Sequence, residues 1–258
     1  MGDIEVAKLR LNRATSHLNE FEQAADIYLN TNPFGTYTET YTENGENCIR
    51  LVYKVLQPPP PILGIIAGDC INNLRAILDN LVWSLGRIYP STDLKAKGDK
   101  LSFPICKTQT DYEKKLKQPY WMTIYKFPKV AQELIESLQP YNSTKQAHRI
   151  GILHQLWNAD KHRSPDLMGG ASSGVRQGFN LQQPASLSAG MYIEDGRVFG
   201  YGVIPKDGVP KDAIIELLGT SLLFHENGPA SGFIVYGLLY ELIQIVHDEI
   251  ICKLEPIF

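Results

Sequence analysis

Residues 61–87 constrain this chain more than any other stretch. Leu63, Ile66, Cys70, Leu74, Ile77, Leu81 and Leu85 recur every three or four positions, so one side of a long helix is continuously apolar. Asn72, Arg75 and Asp79 fall at i, i+3 and i+7 on another side, and Asp69, Asn73 and Asn80 widen that polar band. A helix this apolar belongs at the centre of a fold, where its polar groups need partners or a task.

The rest of the chain arranges itself around that helix. Gln57 and then Pro58, Pro59, Pro60 and Pro61 form a stiff extended lead-in. Pro61 suits a first helical turn, because its missing N–H would have no intrahelical partner there. Upstream, Ile4, Ala7, Leu11, Ala14, Leu18, Phe21, Ala25 and Tyr28 mark one face of a helix over residues 4–29, with His17 beside the stripe. Alternation over residues 36–41, the Asn44-Gly45 pair and the β-rich residues 49–56 predict a hairpin. Further helices are expected over residues 111–117, 128–138 and 145–163, the second stopped by Gln139-Pro140.

From Leu167 the composition turns to Gly, Ser, Gln and Ala. Strand, turn and strand follow over residues 191–199, then one more strand over 214–224. Gly228-Pro229 precedes a last apolar helix over residues 232–254. The expected class is therefore α+β, a single domain over residues 1–258. Its helical-bundle core of antiparallel helices comprises residues 4–29, 61–88, 128–138, 145–163 and 232–254. A β-hairpin lies near the N-terminus (36–56), and a β-rich insertion (167–228) precedes the C-terminal helix.

Composition narrows the function classes. With 258 residues, 43% hydrophobic and 21% charged, the chain can bury a core without disulfides or metals. A net charge of −3 argues against a surface built throughout to attract nucleic acid or anionic membrane. Cys48, Cys70, Cys106 and Cys252 form no CxxC or Cys/His spacing. Cys70 and Cys252 lie in helical apolar patterns, so packed thiols are expected, with no metal and no cofactor. The first residues lack the basic and apolar segments of a secretory signal. The longest apolar run, residues 233–246, is interrupted by Glu241 and Gln244 and is too short to span a bilayer. A cytoplasmic location and no membrane partner are the resulting expectations.

Between Lys107 and Lys129, lysines interleave with Tyr112, Tyr120, Trp121, Tyr125 and Phe127. Such a segment can hold phosphates and stack bases. The simpler reading, preferred here, is a solvated short helix and a loop whose aromatics cap the core.

A second polar stripe sits on the helix at 145–163. His154, Asn158 and His162 recur at i, i+4 and i+8, beside the buried-side Ile150, Leu153 and Trp157, and the helix ends in Asp160, Lys161, His162 and Arg163. Two core helices with polar stripes are expected to bring them face to face. One supplies Asp69, Asn72, Asn73, Arg75 and Asp79, the other His154, Asn158, Asp160, Lys161, His162 and Arg163. The result is either a buried paired network or a pocket lined by acid, base and amide. A metal held by Asp160, His162 and His154 is disfavoured, because Asp160 and His162 cannot face one ion from an undistorted helix.

The motifs Gly68-Asp69-x3-Asn73-Leu74-Arg75-x2-Leu78-Asp79, Trp83, Phe103-Pro104-Ile105, Leu138-Gln139-Pro140-Tyr141 and Asp160-Lys161-His162-Arg163 fall within residues 68–163. Together they resemble a family of bacterial proteins of about this length that carries no assigned activity. In such proteins a histidine often stands where this chain has Asn80. That Arg-x4-His spacing makes the helical core similar to HEPN domains, helical modules that include metal-independent ribonucleases of toxin and antiphage systems. Asn80 cannot serve as a general base, while Arg149-x4-His154 repeats the spacing on the later helix.

Two readings follow. In one, the polar residues are a structural or ligand-binding network of a non-catalytic module, with a small anionic ligand or a second copy of the chain as partner. In the other, which the resemblance implies, the protein cleaves RNA without metal. His162 or His154 would then transfer the proton, and Arg75, Arg163 or Lys161 would hold the phosphate.

Overall fold

The computed structural model describes residues 3–43, 46–90, 100–161, 165, 167–177, 190–194, 197–205, 213–225 and 228–258. It is an α+β protein in two compact units. One unit comprises Met1–Glu22, Pro61–Asp166 and His225–Phe258; the other comprises Gln23–Pro60 and Leu167–Phe224.

The first unit is helical. Helix α1 (Asp3–Leu29) starts in it, and its final turns belong to the second unit. Helix α2 (Pro61–Ile88) follows the proline lead-in, and all seven residues of its expected apolar stripe are buried. Ile71, Leu78 and Val82 are fully buried as well, so α2 is covered on more than one side, as a central helix must be. Each such Leu or Ile contributes about 1.5–3 kcal/mol relative to an exposed side chain. By length and composition α2 is apolar enough to cross a membrane, with mean hydropathy 1.3, but 61% of that stretch is buried within the protein, the habit of a core helix.

Helix α3 (Gln109–Leu116) is opened by Thr108, whose hydroxyl accepts the Asp111 N–H at 3.1 Å. A 3₁₀ helix (Trp121–Lys126), α4 (Lys129–Ser137) and α5 (Lys145–Asp160) follow. Thr144 caps α5 in the same way, accepting the Ala147 N–H at 3.2 Å. Of the helix expected over 145–163, residues 162–164 lie outside the described residues. The last apolar segment forms α6 (Val235–Gln244), then a π-helical turn (Ile245–Ile251) that runs on into Cys252–Leu254. Helix α2 packs against α5, α6 and the π turn.

The second unit holds two antiparallel sheets. Strands β1 (Phe34–Glu43) and β2 (Glu46–Val55) form the expected hairpin, whose Asn44-Gly45 turn lies outside the described residues. With β4 (Gly190–Glu194) and β5 (Arg197–Pro205) they make a sheet of order β1-β2-β5-β4. Strands β3 (Leu167–Gln177) and β6 (Ala213–Phe224) pair separately, with an irregularity at Ser172/Ser173.

Strand β3 was not anticipated, because its Gly-Gly-Ala-Ser-Ser-Gly core lacks β-formers. Part of the reason it is tolerated lies at Gly169. A Cβ there would sit 2.0 Å from Cε1 of Phe34, so the aromatic ring rests on bare strand backbone. Phe34 in turn meets Tyr28 edge-on at 6.2 Å, and the Tyr28 hydroxyl donates to the Gln57 carbonyl at 2.7 Å.

Cys70 and Cys106 are buried thiols, as expected for packed cysteines. Cys252 corrects that expectation, since it is exposed. Its apolar neighbours in sequence are not its neighbours in space: two helical steps of about 100° each separate it from the buried Leu254.

Candidate functional site

The seam between α2 and α5 begins with a close approach. A Cβ on Gly68 would lie 2.4 Å from Oδ1 of Asp160, so only glycine lets the two helices meet with that carboxylate between them. Asp160 then accepts a hydrogen bond from Asn72 Nδ2 at 2.6 Å. This bond links α2 directly to the last turn of α5.

One turn further along α2, Arg75 is only 3% exposed. Its NH2 donates to Asp79 Oδ1 at 2.7 Å and to the Phe103 carbonyl at 2.9 Å. The same Asp79 oxygen accepts the Phe103 N–H at 2.9 Å, so the residues around 103 are clamped to α2 by one ion pair. The guanidinium also lies 5.1 Å from the centre of the Trp157 ring of α5, and Lys161 Nζ lies 3.1 Å from the centre of that ring. Trp157 thus sits among cations from both sides of the seam.

Burial is the dominant electrostatic influence here. It holds the Arg75 guanidinium below its ordinary value, with Asp79 opposing. It lifts the Asp79 carboxyl above the usual carboxylate range, against Arg75, the Phe103 N–H, Lys161 and Lys115. His154 is pushed down to about 4 by burial and then by Arg75, Lys115 and Lys161. It is therefore a neutral imidazole at pH 7. Its Nε2 is 3.1 Å from Asn158 Nδ2.

Three buried nitrogens of this cluster have no hydrogen-bond partner among the described residues: Nε and NH1 of Arg75 and Nδ1 of His154. Beside the seam, Asp79, Asn80, Trp83, Lys100, Leu101 and Ser102 line an open groove of about 540 Å³.

Not every anticipated residue joins the cluster. Asp69 is exposed, and Asn73 spends its amide on the Asp69 carbonyl at 2.9 Å within the same helix. Asn158 is exposed, and among the described residues its side chain meets His154. His162 and Arg163 lie outside the described residues. Arg149 is drawn away from His154: its Nε donates to Glu241 Oε2 at 2.5 Å, and its guanidinium lies 4.6 Å from the centre of the Phe233 ring. Burial opposes the ionised form of Glu241, but hydrogen bonds from Lys145 and Arg149 hold its carboxyl below the ordinary value.

The lysine-aromatic segment spends part of its aromatic surface internally and leaves Tyr125 exposed. Tyr112 and Phe127 are buried, and Trp121 Nε1 donates to the Ser102 carbonyl at 3.1 Å while lying under Lys115 at 4.7 Å.

One further buried polar residue of the helical unit carries no site signal in the sequence. Gln139 is fully buried, its Nε2 donating to the Pro104 and Ile135 carbonyls, each at 2.8 Å, and its Oε1 accepting the Cys106 N–H at 3.0 Å. Its position before Pro140 marks it as a helix stop, and the Leu138-Gln139-Pro140-Tyr141 motif names no partner for it. Compared with known proteins, the chain matches no protein-family model, no curated sequence and no solved structure.

Proposed function

We propose that the α2–α5 seam is the ligand site of a non-catalytic binding module that takes a small anion, a carboxylate or phosphate group, beside Arg75. The observation that carries this reading is the pair of guanidinium nitrogens, on a residue only 3% exposed, with no hydrogen-bond partner among the described residues. Buried donors are nearly always satisfied, and an anion satisfies both while offsetting the burial of the cation. The cations Arg75, Lys115 and Lys161 around a neutral His154 give the seam the matching sign.

The test is a melting series with phosphate and with a small dicarboxylate, against sodium chloride at equal ionic strength. Binding at a hundred times Kd stabilises the native state by about 2.7 kcal/mol. Arg75→Met is expected to abolish that gain. No anion-specific gain in the wild type overturns the proposal.

A second reading rests on the same juxtaposition of His154, Arg75 and Lys161. The helical unit would be a HEPN-like bundle with residues 167–228 inserted before its last helix, and the site would cleave RNA without metal. His154, lowered to about 4, is neutral at pH 7 and can only accept a proton, so in this reading the acid that protonates the leaving oxygen is His162. RNA incubated with pure protein and with His162→Ala decides it. Cleavage by the wild type alone supports a nuclease; equal or absent cleavage in both rejects it.

A further inference from the structure

The π-helical turn after α6 does something a regular helix cannot. In an α-helix, residues five apart point about 140° away from each other. Here the Cys252 N–H donates to the His247 carbonyl, the i→i−5 bond of a π-helix, so these two residues stack one above the other. Their side chains meet on the surface, with Cys252 Sγ and His247 Nε2 3.9 Å apart. Two ligands of one tetrahedral zinc, at about 2.3 Å for sulfur and 2.0–2.1 Å for nitrogen, stand roughly 3.6 Å apart. The observed spacing needs only a small rotation of one side chain.

The third member of the group settles the histidine's tautomer. His247 Nδ1 lies 2.6 Å from Asp248 Oδ1, so the carboxylate takes the Nδ1–H and leaves the Nε2 lone pair aimed at the thiol side. This carboxylate–imidazole arrangement orients histidines that hold metals. His247, Asp248 and Cys252 all lie within 4.8 Å of one another and are all exposed, so an ion reaches them without any opening of the fold. Neighbouring Glu249 is paired with Lys253, which leaves Asp248 as the carboxylate serving the histidine.

We infer that His247 Nε2 and Cys252 Sγ form a surface site for a divalent cation of the zinc class, with Asp248 as the positioning residue behind His247. Thiolate and imidazole together favour zinc, or cobalt as its probe, over magnesium or calcium. The thiol proton leaves to solvent as the metal–sulfur bond forms, and water completes the coordination. The site is independent of the α2–α5 seam.

The test uses the full chain, free of any histidine tag, titrated with Co²⁺ and then Zn²⁺. One equivalent of Co²⁺ is expected to produce a sulfur-to-cobalt charge-transfer band that Zn²⁺ removes. Cys252→Ser should abolish the band, and His247→Ala should weaken binding at least tenfold. Asp248→Asn should weaken binding by roughly 10–100-fold while keeping the band. Each variant is checked by circular dichroism, and because all three residues are exposed their folds are expected to be unchanged. No band in the folded wild type, or a band that persists in Cys252→Ser, overturns the inference. Unchanged affinity in His247→Ala does so too.

Discussion

Arg75 concentrates the physics of the seam in one side chain. It is buried with one carboxylate, one carbonyl and one indole face as its partners. Arg75→Ala leaves Asp79 and the Phe103 carbonyl short of a donor, and breaking a buried pair from one side costs about 3–5 kcal/mol. Urea unfolding is expected to show that loss. Replacing both members, as in Arg75→Met with Asp79→Leu, should recover only part of it, because no charge is then left stranded but the Phe103 N–H and carbonyl lose their partners. Gln139→Ala removes three buried hydrogen bonds and is expected to cost about 3 kcal/mol at roughly 1 kcal/mol each. A loss below about 1 kcal/mol in the same unfolding experiment would mean those bonds are replaced by water. The two residues differ in legibility. Arg75 stands out in the sequence because a charge inside an apolar helical repeat demands a partner. Gln139 does not, since an amide before a proline is an ordinary helix stop until residues 104–106 fold against it.

At the scale of elements, the α2–α5 contact depends on a glycine. Gly68→Ala drives a methyl group into the Asp160 carboxylate and disturbs its bond to Asn72, an overpacking expected to cost about 1–3 kcal/mol. In an Asp160→Ala background the same substitution should be close to neutral, because the obstacle is gone. Equal cost in both backgrounds, measured by urea unfolding, would place the clash elsewhere. The helical lead-in at Pro61 was readable, while the contact between the polar groups of α2 and α5 runs through Asp160, off the periodicity of His154 and Asn158. Strand β3 was not readable, because its acceptance of glycine depends on an aromatic ring from β1. The His247–Cys252 contact was invisible for a related reason. A five-residue interval has no meaning on a 3.6-residue helix, and only the π turn brings the two together.

For the whole molecule, His154 gives folding a pH dependence. Its folded value of about 4 lies below its ordinary 6.5, so the unfolded chain binds more protons between those limits. Stability is therefore full above about pH 6.5 and falls as pH drops towards 4. For a partly exposed group the loss is on the order of 1 kcal/mol after solvent screening. Urea unfolding at pH 7.0 and 4.5 should show His154→Gln losing less than the wild type by about that amount. Identical losses would assign the acid sensitivity to other groups.

The sequence by itself determined the helical stripes, the hairpin, the α+β class and the position of Arg75 and Asp79 on a buried helix. These depend on spacing along the chain and on the cost of leaving apolar area in water or charge in a core, both of which act over a few residues. Only the tertiary structure decided which polar groups are spent and which are free. It paired Asn72 with Asp160, gave Arg149 to Glu241, left two Arg75 nitrogens without a partner among the described residues and turned Cys252 outward beside His247. Those outcomes depend on which distant backbone arrives within about 3 Å, a distance no local pattern specifies.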